Sequence, residues 1–148
     1  MSIRYRPIDL KPRRKSRSYH RQIGWTHVAN RRIYFRSKWE LRYAQYLQWL
    51  KEQNIIQEWE HEPQTFWFEQ IKRGTRSYLP DFKVTRTEGS HYWVEVKGYF
   101  DSKSLTKIKR FRKYYPEEEL IVVDSEWFNK NGKTNPILQK MAENGSAI

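Results

Sequence analysis

Two stretches of the chain alternate apolar and polar positions with the period of a strand. They cover residues 78–84 and 93–97. In the first, Phe82 and Val84 point one way and Asp81 the other. In the second, Val94 and Val96 oppose Trp93, Glu95 and Lys97. The intervening Thr87-Glu88-Gly89-Ser90 is a turn signal. A two-residue loop at 88–89 would set Asp81 opposite Val96, on the wrong face. A three-residue loop, Thr87-Glu88-Gly89, pairs Arg86 with Ser90 and Asp81 with Glu95. It places Gly89 where such loops want a left-handed residue. The pattern therefore predicts an antiparallel hairpin with one apolar face. The other face gathers two carboxylates and an ammonium.

The pattern on either side is helical. Ser37-Lys38-Trp39-Glu40 reads as a capping box that opens a helix. Trp39, Tyr43, Tyr46, Leu47 and Leu50 form its apolar stripe, and it ends near Gln53-Asn54. Residues 103–115 form a second helix, capped by Asp101 or Ser102, stopped by Pro116, and buried through Leu105, Ile108 and Phe111. Residues 55–68 read as one or two strands broken at Pro63. Glu58, Glu60 and Glu62 there are expected on the outer face and are assigned no metal. Residues 120–123 read as an apolar central strand, and residues 23–35 as a hairpin turning near Asn30-Arg31. Residues 136–143 could form a short peripheral helix. The expected fold class is α/β (α+β), a mixed central sheet flanked by helices.

Charge adds an arm to this picture. The net charge is +12. Residues 1–38 hold twelve Lys/Arg against one acid, Asp9, while the other 110 residues hold seventeen against sixteen. Eight of the cations, Arg4, Arg6, Lys11, Arg13, Arg14, Lys15, Arg17 and Arg21, fall within residues 1–22, where Pro7 and Pro12 oppose helix. We expect a flexible basic arm at 1–22, a folded domain at 23–128 and a C-terminal tail or short helix at 129–148. Such arms bind polyanions, above all nucleic acid. The interleaved Tyr5, Tyr19, Trp25 and Tyr34 suit stacking on bases or sugars. The second helix adds Lys103, Lys107 and Arg110 among six cations with no acid, a face suited to phosphate.

Composition removes other chemistries. Without cysteine there is neither a disulfide nor a thiolate zinc site, and His20, His27, His61 and His91 lack metal-site spacing. No apolar run is long enough to span a membrane, and no apolar segment follows the basic N-terminus as in a secretory signal. A soluble intracellular protein is expected. Within it, two carboxylates directly opposite each other lie about 4.5–5.5 Å apart at Cβ and repel unless a cation intervenes. Mg²⁺ is commonly held by one or two carboxylates plus substrate phosphate. Lys97, on the same face, could neutralise a phosphate or position a water. Glu40, at the third helical position, is expected to complete the helix cap.

Pro80-Asp81 followed by Glu95-x-Lys97 resembles the PD-(D/E)XK nuclease superfamily. The order helix, strand, hairpin, helix, apolar strand is similar to its core. Across residues 35–128 the chain looks most like the phage endonuclease I group of Holliday-junction resolvases. The match includes Phe35-Arg36-Ser37, Glu40, Tyr78-x-Pro80-Asp81-Phe82, Val94-Glu95-x-Lys97-Gly98 and Tyr115-Pro116-Glu117. Residues 31–97 also resemble phage head-completion nucleases. The resemblance implies a restriction-endonuclease-like core and an active-site set of Glu40, Asp81, Glu95 and Lys97. Asp81, Glu95, the Val96 carbonyl and Glu40 would serve Mg²⁺, or Mn²⁺ in its place. It implies a metal-dependent DNA endonuclease selective for branched DNA, working as a homodimer in the cytoplasm of an infected host cell. The alternatives are a head-completion protein acting on DNA ends in the virion, a site-specific homing-type cutter, or a nucleic-acid-binding module without catalysis.

Overall fold

The computed structural model describes residues 23–134 and 139–140. Arg4, Arg6, Lys11, Arg13, Arg14, Lys15, Arg17 and Arg21, the arm expected at 1–22, lie outside the described residues. So does most of the helix expected at 136–143. The chain opens with β1 (Gly24–Val28) and β2 (Arg31–Phe35), paired antiparallel with Val28 opposite Arg31. The turn is thus Ala29-Asn30, one residue earlier than expected. Helix α1 (Lys38–Glu52) follows, with Ser37 as its N-cap and Gln53 as its C-cap. Leu41 and Ala44 join Tyr43, Leu47 and Leu50 in being buried, so the embedded face is wider than the predicted stripe.

The central sheet contains β3 (Ile56–His61), β6 (Phe82–Arg86), β7 (His91–Val96) and β8 (Leu120–Val123), in that order across the sheet. The first three are antiparallel neighbours, and β7 runs parallel to β8. A small second ribbon, β4 (Phe66–Trp67) with β5 (Ser77–Tyr78), precedes β6. Helix α2 (Ser102–Tyr114) connects β7 to β8, capped by Asp101 and closed by Tyr115 ahead of Pro116. Helix α3 (Ser125–Thr134) runs across residues 128–129, where the sequence suggested a domain edge. Trp127 and Phe128 from α3 meet Tyr43, Tyr46 and Trp39 of α1 ring to ring, which ties α3 to the fold. Among the described residues no helix is long and apolar enough to cross a membrane.

Two further expectations are corrected. The strand predicted over 78–84 is two strands, because Pro80 lacks the amide that a continuous ladder needs. The 120–123 run is the outer strand of the four, not a central one. It is apolar because both its faces are covered: Leu120 joins the core under α2, and Val123 the core under α1. The face that carries Asp81 and Glu95 also packs a core of its own. Trp93 from the same face is buried with Phe66, Tyr78, Leu105, Ile108 and Phe111. The sheet therefore separates two cores, one under α1 and one under α2.

Candidate active site

The predicted hairpin register is present. Phe82 pairs with Val94 and Thr85 with His91. Arg86 donates its amide to the Ser90 carbonyl at 2.7 Å, and Gly89, at φ +99°, closes the three-residue loop. Extending the register by one pair sets Asp81, just before β6, opposite Glu95. The Val96 amide donates to Asp81 Oδ2 at 2.7 Å. The Glu62 amide donates to the Asp81 carbonyl at 2.8 Å, so the aspartate is held by its backbone from the end of β3 and by its side chain from β7.

Both carboxylates are buried at the rim of a cleft of about 870 Å³. Glu40 reaches the same cleft from the first turn of α1. Its amide is capped by Ser37 Oγ at 3.2 Å, and its Oε1 lies 3.4 Å from that hydroxyl. One side chain thus touches the cap through the Ser37 hydroxyl and lines the cleft. Glu40 Oε2 is buried without a hydrogen-bond partner, and so is His61 Nε2, 3.8 Å away. Buried polar atoms are nearly always paired, so this orphaned carboxylate oxygen marks a position where another group belongs.

Lys97, Val96 and Lys107 of α2 also line the cleft, together with Arg36, Asp101 and Ser104. The Lys97 amide bonds the Val123 carbonyl at 2.9 Å, which locks the strand end that carries its side chain. The other two α2 cations named from the sequence do not line the cleft. Lys103 is exposed elsewhere on the helix, and Arg110 donates to the Thr75 carbonyl, where it holds the loop between β4 and β5. Glu58 is ion-paired to Arg31 and Lys51, and Glu60 is exposed, as an outer face requires. Glu62 departs from that reading. It adopts φ +46°, and it lines the cleft.

Burial and mutual repulsion set the electrostatics of the site. Burial pushes the Asp81 carboxyl well above the usual carboxylate range. The charges of Glu95 and Glu40 push it further, against the Val96 amide and Lys97. Burial also raises Glu95, opposed by Lys97 and by the Tyr78 hydroxyl, while Glu40 adds to the rise. Tyr78 donates to Glu95 Oε2 at 2.6 Å from a buried ring. Its own hydroxyl is raised well above the ordinary phenol value by burial and by the two carboxylates. Among the described residues, no three His, Asp or Glu side chains form a compact metal-binding group by themselves. Any cation here would draw on few protein ligands.

The profile of a protein family of unknown function, DUF1064, matches residues 20–135. The chain belongs to this family. No curated protein matches the chain, and no solved structure does. The DUF1064 match contains every residue of the cleft and all elements from β1 to α3. Seven arm cations, from Arg4 to Arg17, precede it.

Sequence reasoning did not assign Tyr78, Glu62 or His61 to the site. Tyr78 lies three residues before Asp81, yet nothing local shows that its hydroxyl ends on Glu95. His61 lies in an alternating strand whose meeting with α1 is purely tertiary.

Proposed function

We propose that this protein is a Mg²⁺-dependent DNA endonuclease with a restriction-endonuclease-like core, selective for branched DNA. The observation that carries the reading is the convergence of Glu40, Asp81, Glu95 and Lys97 on one cleft from α1, the approach to β6, and β7. Three buried acids sharing a cleft, two of them raised in pKa, are what a divalent cation relieves. The donor set is all oxygen, which suits Mg²⁺ with substrate phosphate and water completing its shell. Mn²⁺ fits the same donors.

Asp81 and Glu95, with the Val96 carbonyl, would hold the cation, and Glu40 would reach a second ion or its waters. When bound, the cation supplies charge stabilisation to the phosphate and to the leaving oxygen. Lys97 Nζ would orient the attacking water or accept its proton. Tyr78 keeps Glu95 Oε2 in one orientation through its 2.6 Å bond. Lys107, on the α2 wall, offers a cation to the phosphate. The arm and Lys103 would add backbone contacts, which position DNA without reading sequence. Opposed nicks on two strands would require two copies of the chain.

The test compares a circular plasmid, a four-way junction and a linear duplex carrying the junction's arms, with Mg²⁺ and with EDTA. The expected result is Mg²⁺-dependent cutting with the junction strongly preferred, whatever its sequence. Cutting of linear DNA at one fixed site, or only from ends, would replace branch selectivity by the homing-type or head-completion reading. No cutting of any substrate would leave a binding module.

A further inference from the structure

A second hollow, of about 370 Å³, lies beside the cleft and is assigned no role by the nuclease reading. Its walls come from the β1–β2 hairpin and the end of β3. Trp25 and Tyr34 are cross-strand partners on the outward face of the hairpin, with ring centres 5.6 Å apart at 74°. The Arg32 guanidinium sits 4.8 Å from the centre of the Trp25 ring. Trp25 nevertheless keeps 60% of its surface in solvent. Exposed positions on this face are Trp25, His27, Arg32 and Tyr34, with no acid among them. Arg31 is committed elsewhere, to Glu58 and to the Trp59 carbonyl.

The hollow adjoins the cleft directly. Tyr34 and His61 line the hollow, while Arg36 and Glu62, close behind each in sequence, line the cleft. The partition between them is His61 against Glu40 at 3.8 Å.

We propose that this hollow binds an unpaired nucleobase of the DNA strand whose phosphate lies in the cleft. An exposed indole with a guanidinium over it is a stacking platform, and every base has a face to offer it. A base inside a regular duplex is already stacked and cannot reach the platform. A base at a fork, flap or branch point can. Glu60, on the rim, offers an acceptor to an exocyclic amine. The hollow is aromatic and polar, with the Arg32 guanidinium over the indole, which favours a nucleobase over an apolar peptide. This inference rests on the DNA reading above and deepens it, since it supplies a physical basis for branch selectivity.

The test measures binding of the full chain in EDTA, where no cleavage occurs. A forked oligonucleotide carries 2-aminopurine at one unpaired position beside the junction, and the control is the same sequence fully paired. The expected result is quenching of the probe on the fork. Trp25→Ala should abolish the quench and lower the preference for fork over duplex about tenfold. Trp25→Phe should retain most of both. Arg32→Gln should lower the preference by a smaller factor. An unchanged fork preference in Trp25→Ala would overturn the proposal. Quenching without any Mg²⁺-dependent cleavage would support the base site and sink the nuclease reading. Cleavage by a Trp25→Ala protein with full fork preference would do the reverse.

Discussion

The two faces of the central sheet are built from the same strands and put to different uses. Under α1, the strands present Trp59, Phe82, Val84, Tyr92, Val94 and Val96, and every one is buried. Under α2, the same strands present Trp93 into an apolar core at one end and Asp81 with Glu95 at the other. The first face only stabilises. The second divides its length between packing and a buried acidic cluster that opposes folding. The α1 core is the rigid support that lets the other face tolerate that cluster, because stable cores elsewhere are what hold strained sites together.

The largest effect should come from the supporting face. Phe82→Ala, at a fully buried position under α1, should cost about 3–5 kcal/mol in denaturant unfolding. A cost below about 1 kcal/mol would mean that the α1 core is not the support described. Next come the acids. Asp81→Ala or Glu95→Ala should lower Mg²⁺-dependent cleavage by more than about 100-fold, since loss of even outer partners of a metal site costs 10–100-fold. Circular dichroism should show the fold retained. Cleavage preserved in both variants would move the chemistry to another part of the chain.

Tyr78→Phe separates the two uses of the second face, because the ring packs in the core while its hydroxyl serves Glu95. It should raise the Mg²⁺ concentration for half-maximal cleavage about tenfold, with folding intact. An unchanged Mg²⁺ requirement would reduce Tyr78 to a core residue.

The smallest effect concerns stability without metal. A carboxyl whose pKa is raised by folding favours the folded state fully below its unfolded pKa. That contribution is lost as pH rises through the folded pKa. Asp81 is such a group, so at neutral pH its ionised form opposes folding. Asp81→Asn should therefore raise the metal-free Tm at pH 7, and the gain should shrink towards pH 4. A lower Tm for the variant at pH 7 would contradict the repulsion described between the acids.

Much of this was legible in the sequence because its signals are short-ranged. The hairpin register follows from loop length and Gly89 alone, since a slip of one residue would turn every side chain to the wrong face. The ends of α1 and α2 follow from Ser37, Asp101 and Pro116, which satisfy or remove backbone groups within a turn. Thus Asp81, Glu95 and Lys97 could be placed on one face before any fold was known. Packing across elements was not legible in the same way. The seating of α1 that brings Glu40 to the cleft and against His61, the Tyr78 hydroxyl on Glu95, and the docking of Trp127 and Phe128 on α1 all join residues far apart in sequence. The same holds for the roles of the α2 cations, where Lys107 faces the cleft while Arg110 holds a loop. A charge pattern says that a helix face is basic. Only the angle at which that helix rests on the sheet decides which of its charges can meet a phosphate.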